Sequence, residues 1–73
     1  MPARPKSRKI VGDAIREVRK AAGFSQEKLA EKADLHPNYI GEFERGEKTI
    51  SVDALLRIAA ALNVSVTRFF PGL

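Results

Sequence analysis

Two short helices have to fit between Phe24 and Gly46, and neither can stand alone. In FSQEKLAEKADLHPNYIGEFERG, Ser25 reads as an N-cap and Pro37 as the first residue of a second helix, with Asp34-Leu35-His36 as the connector. Helices of this length are marginal in water and cannot bury their own apolar faces. They have to be held by flanking segments, and about 25 residues are available on each side. The chain is therefore expected to be a small helical domain built around a rigid two-helix corner.

The flanks supply the rest of an all-α fold. From Ile10 to Ala22, Val11, Ile15, Val18 and Ala22 recur at helical spacing, and Gly23 is a C-terminal stop. In the corner itself, Leu29, Ala30 and Ala33 face inward from the first short helix, Ile40 and Phe43 from the second, and Gly46 ends the pair. Ser51 caps a fourth helix carrying Leu55, Leu56, Ile58, Ala59 and Leu62, and Asn63 closes it. A last short helical turn, VTRFF, follows Ser65. No strand alternation, repeat or low-complexity stretch is visible. The expectation is a compact bundle of five helices.

Charge is unevenly placed. The chain carries a net +4, yet Arg4, Lys6, Arg8 and Lys9 lie in its first nine residues, with prolines at 2 and 5. Residues 1–9 read as a flexible basic arm, and residues 10–73 hold nine basic and nine acidic residues. Polyanions are the expected partners, with any basic face on the body arising from local segregation. No segment resembles a signal peptide or a membrane span, and a chain without cysteine suits a reducing cytoplasm. One histidine, no cysteine and no clustered carboxylates offer neither a metal site nor a catalytic nucleophile and base. No enzyme activity, cofactor or small-molecule ligand is expected.

Arg16, Arg19, Gly23-Phe24-Ser25-Gln26, Leu29-Ala30, Leu35, Tyr39-Ile40, Glu44-Arg45-Gly46, Ile50, Leu55, Ala59 and Leu62 agree in order and spacing with one known family. Over residues 10–70 the chain resembles the XRE-type helix-turn-helix regulators, the Cro and phage-repressor group. The short length, the ERG-x-x-x-IS loop and the ALN-x-S-x-x-x-FF ending most resemble the controller proteins of restriction–modification systems. The resemblance implies a lambda-repressor-like DNA-binding domain, with residues 10–73 including C-terminal dimerisation helices. It also implies a homodimer on a pseudo-palindromic operator in double-stranded DNA. An antitoxin or other protein-binding module on the same scaffold is the alternative, motivated by the broad apolar C-terminal surface.

The helix from Pro37 is expected to enter the major groove, N-terminal end nearest the bases. His36, Pro37, Asn38 and Glu42 lie opposite Ile40 and Phe43 and are the candidate base contacts. Asn38 can pair with adenine and Glu42 can accept from cytosine. Controllers often carry Arg-Thr where this chain has Pro37-Asn38, so an arginine-to-guanine contact is missing there and only a thymine methyl is within Pro37's chemistry. Ser25 and Gln26, at a helix N-terminus, are candidate phosphate contacts, as are Tyr39, Arg45, Lys48 and Thr49. For Tyr39 a ring packed on its own helix is the competing reading, and for Lys48 simple solvation. The resemblance makes Arg19 and Glu44 a partly buried structural ion pair. Val66, Phe70, Leu73 and Leu62 are the candidate dimer contacts.

Overall fold

The computed structural model describes residues 6–72, so the stretch 1–5 of the expected arm and Leu73 of the expected dimer surface lie outside the described residues. Four α-helices follow one another: α1 Lys6–Ala21, α2 Gln26–Ala33, α3 Pro37–Glu44 and α4 Val52–Leu62. A single 3-10 turn at Val66–Phe69 closes the chain. The expected fifth helix is thus one turn, and the count of five is corrected to four. Asn63, at φ 56°, stops α4, and Phe70 leaves helical geometry ahead of Pro71, so too few residues remain for an α-helix.

Each element sends one side chain to the centre. Ile15, Leu29, Ile40, Ile58 and Phe69 are the largest fully buried ones, from α1, α2, α3, α4 and the 3-10 turn in order. The two short helices are stable because their apolar faces are covered this way from α1 and α4. Leu55 and Leu62 of α4 join the core, whereas Leu56 is 53% exposed. It stands apart from the stripe that residues 55, 58, 59 and 62 form at helical spacing. Ala22 lies past the end of α1 and is exposed, and Ala14 takes the core position instead.

The helix ends follow local chemistry. Ser25 Oγ accepts from the Lys28 amide and Ser51 Oγ from the Ala54 amide, each at 3.0 Å. Asp34, left-handed at φ 57°, closes α2, and the Leu35 amide donates back to the Ala30 carbonyl at 2.9 Å. Arg57 of α4 donates from Nη1 to the Asp34 carbonyl at 3.1 Å and pins the corner from beneath.

The arm boundary also changes. Residues 6–9, expected to be irregular, form the first turn of α1. Lys9 Nζ meets Asp13 Oδ1 at 2.7 Å one turn along. The Lys9 backbone rests against Gly46 beyond α3, 3.2 Å from where a Cβ would stand. Composition alone carries no trace of that contact.

Candidate nucleic-acid interface

Three helices are locked by one carboxylate. Glu44, at the end of α3, accepts from Arg19 Nε at 2.6 Å and from Arg19 Nη2 at 3.0 Å. The free position on its Oε1 takes a third bond, from Gln26 Nε2 at 3.0 Å. Arg19 also donates from Nη1 to the Phe24 carbonyl at 2.8 Å, which fixes the link between α1 and α2. Both charges are buried, and every buried side-chain nitrogen and oxygen among the described residues has a partner. The expected ion pair is present, with Gln26 as a third member.

This lock sets α3 against the start of α2 and leaves an open groove of about 510 Å³ between them. Pro37, Asn38 and Glu42 line one wall, Gln26 and Glu27 the other, with Gly41 and Arg45 at the end. Three of the four expected base readers therefore meet in one concave surface. Pro37 starts the helix without needing an amide bond, and the Asn38 amide is satisfied by His36 Nδ1 at 3.1 Å. His36 is the N-cap, and its bonded nitrogen is committed to that task.

Gly41 gives Arg45 its place. With no side chain there, Arg45 Nη1 lies 3.1 Å from the position a Cβ would occupy, and Gln26 Oε1 lies at 3.5 Å. Arg45 Nη2 also contacts Glu47 Oε1 at 3.0 Å. The hydrogen bond to Glu47 and then the charge of Glu47 push the guanidinium pKa above its ordinary value, with smaller contributions from Glu42 and Glu44. Arg45 is a permanent cation at the mouth of the groove.

The remaining candidates sit elsewhere. Tyr39 is on a different side of α3, its ring stacked on Phe43 at 6.1 Å and edge-on to His36 at 6.2 Å. Lys48 Nζ stands 5.1 Å from the Tyr39 ring centroid. The ring-packing reading of Tyr39 is thus realised. Thr49 is not brought to the readers: it lines an apolar groove with Ser7, Arg8, Val52 and Phe70. Ser25 is exposed at the start of α2, its Oγ engaged as the cap.

Of the expected dimer residues, Phe70 is 39% exposed, Val66 is half-buried and Leu62 is buried. Leu62 is corrected to a core residue, because its side chain is already covered within one copy. Two exposed apolar residues, Val52 and Leu56, lie a turn apart on α4 outside that expected set. Lys9 and Arg16 of α1, seven residues apart and so on one helix face, line a second cleft with Arg19, Gln26, Glu44 and Arg45.

Comparison with known proteins gives the same architecture. The helix-turn-helix family model matches residues 15–69. Control protein C.SmaI of Serratia marcescens is 39% identical over 61 residues, 84% of this chain and 73% of that protein. Control protein C.BamHI of Bacillus amyloliquefaciens is 41% identical over 58 residues, 78% of this chain and 72% of that protein. The crystal structure of the restriction-modification controller protein C.AhdI from Aeromonas hydrophila superposes with a TM-score of 0.88 at 35% identity, covering 90% of this chain and 100% of that one.

Proposed function

The chain belongs to the helix-turn-helix family, most like its restriction–modification controller proteins, and on that premise we propose that it is a homodimeric transcription regulator binding a pseudo-palindromic operator. The observation that carries this reading is the groove between α2 and α3. It gathers the exposed Pro37 and Asn38 and the half-buried Glu42, next to the amide-rich start of α2. A helix presented this way fits the major groove, and Asn38 and Glu42 bring complementary acceptors and donors to base edges. Asn38 pairs with an adenine and Glu42 accepts from a cytosine. Ser25 and Gln26 meet the adjoining phosphate. Lys48, held over Tyr39, reaches the backbone on the other flank of α3. Such a protein acts in the cytoplasm, where the DNA is, and uses no catalytic chemistry, cofactor or small ligand.

The second copy docks on the exposed apolar residues at the C-terminal end. Val52, Leu56 and Phe70 form the revised set, with Val66 partly covered beside them. A two-fold pair would set two α3 helices about 34 Å apart, one helical repeat of DNA. Residues 6–72 then act as one unit, recognition at one end and pairing at the other. The same apolar residues favour a second reading, a module that binds a different protein. Sedimentation separates the two: a dimer supports the regulator, and a stable monomer supports the module. Selection of bound sequences from random duplexes is the direct test. Recovery of an inverted repeat supports the reading, and recovery of unenriched sequence contradicts it.

A further inference from the structure

The helices after α1 begin on serine, except for one. Ser25, Ser51 and Ser65 cap α2, α4 and the 3-10 turn through hydroxyl oxygens, which stay acceptors across the physiological pH range. The cap of α3, the helix that carries Asn38 and Glu42, is His36, the single histidine of the chain. An imidazole is the side chain that ordinarily changes charge between about pH 5 and 8.

The Asn38 amide donates to His36 Nδ1 at 3.1 Å. That nitrogen accepts only while it carries no proton, so the cap needs a neutral ring with its hydrogen on Nε2. Pro37 has no amide, which makes Asn38 the first donor that α3 has to satisfy. The Tyr39 amide returns to the His36 carbonyl at 3.0 Å. One residue therefore holds both leading amides, and one of the two bonds depends on its proton count. Protonation turns Nδ1 into a donor aimed at another donor. It also sets a positive charge at the positive end of the helix dipole.

The ring is exposed, so solvent protons reach it. Tyr39 of α3 meets it edge-on at 6.2 Å, and Lys48 Nζ stands 5.1 Å from the Tyr39 ring centroid. In the connector, Asp34 is engaged with Arg57 of α4. On the groove side the charged groups are Glu27 of α2, Glu42 of α3 and Arg45. None of these makes a hydrogen bond or ion pair with the ring among the described residues, so the cap rests on the Asn38 amide alone.

We infer that His36 is a positioning residue for recognition, its proton state setting whether Asn38 is presented to the bases. The inference rests on the operator reading above and deepens it. Asn38 reads, and His36 acts on the bases through Asn38 rather than by a contact of its own. With the ring neutral, the first turn of α3 is closed. With the ring protonated, that turn opens and operator preference falls, while the added positive charge maintains attraction to any duplex. The contribution of the cap is complete at neutral pH and is lost in mild acid.

The test compares wild type, His36→Asn and His36→Ala at about pH 7.5 and about pH 5.5, on a selected operator and on a random duplex. Asparagine also caps helices and does not titrate in this range. Circular dichroism confirms folding of each variant at both pH values. Wild-type preference for the operator over random duplex should fall about tenfold on acidification, the combined effect of a lost cap and an opposed dipole. His36→Asn should keep its preference at both pH values, and His36→Ala should show a reduced preference at both. In NMR without DNA, the Asn38 amide proton of wild type should move upfield in step with the ring protons, and in His36→Asn it should stay still. An operator preference that holds or rises in acid overturns the inference. So does an equal fall in either variant, or an Asn38 amide that stays still while the ring ionises. Wild type with no operator preference at either pH, its Asn38 amide still following the ring, would sink the operator reading and leave the proton-dependent cap standing.

Discussion

Arg19 and Glu44 are joined at two points, Nε to Oε2 at 2.6 Å and Nη2 to Oε1 at 3.0 Å, across the interface between α1 and α3. Neither side chain is more than 9% exposed. The pair lies inside the body rather than on its surface. It sets the angle at which α3 leaves the body, and Gln26 ties the start of α2 to the same carboxylate.

Replacing Glu44 with Ala should therefore act on the fold first. It strands the Arg19 charge in a buried site, at a cost of about 3 kcal/mol. Urea denaturation should show the unfolding free energy falling by that amount, with a lower midpoint, and DNA binding should fall with it. Replacing both partners with apolar residues of similar size, Arg19→Met with Glu44→Leu, should cost much less. A Glu44→Ala protein of wild-type stability would show that the pair is not buried in solution.

Gly12→Ala should destabilise the domain by about 2 kcal/mol, because the added methyl meets backbone oxygens of α3 that cannot yield without moving the helix. Thermal melting checks this. Gly23→Ala is a useful contrast: no atom lies near the added Cβ, and the penalty comes from its φ of +77° alone.

Asn38→Ala should leave stability unchanged, since its side chain is exposed and makes no hydrogen bond among the described residues. On the selected operator it should cost about 1–3 kcal/mol of affinity, and on random duplex almost nothing. Equal losses on both would assign Asn38 to the backbone. Glu42→Gln should do two things: relax the preference for cytosine at one position and tighten binding to random DNA, because it removes an acid from the groove.

Leu56→Lys should convert a dimer to a folded monomer, measured by sedimentation equilibrium with circular dichroism as the control. The side chain is 53% exposed in one copy, so the change costs little without a partner. Leu62→Ala should behave oppositely. It should lose about 2–4 kcal/mol of stability through a core cavity, and any loss of dimer should follow unfolding.

Local chemistry was the part of this structure legible in the sequence. Ser25, Pro37, Ser51 and Asn63 mark helix ends because caps and stops depend on a few adjacent residues. The placing of Asn38 and Glu42 on one face followed from helical spacing once those ends were known, whereas Gln26 comes to the same groove through the packing of α2 on α3. What escaped depends on distant parts of the chain. Lys6–Lys9 looks like an arm until Gly46 is found beneath it. Arg16 looks like solvated surface until the close crossing at Gly12 carries it to Arg45. The exposure of Leu56 and the burial of Leu62 are settled by which side of α4 meets α2, a choice the broad apolar face of that helix leaves open in sequence.

The central claim is that the α2–α3 groove reads DNA sequence. It is tested most directly by measuring wild type and Asn38→Ala on a selected inverted-repeat duplex and on random duplex at one salt concentration. Wild type should prefer the inverted repeat by about a thousandfold or more, and Asn38→Ala should show its loss of affinity on that duplex alone. Wild type binding both duplexes equally, or Asn38→Ala weakened equally on both, would contradict it.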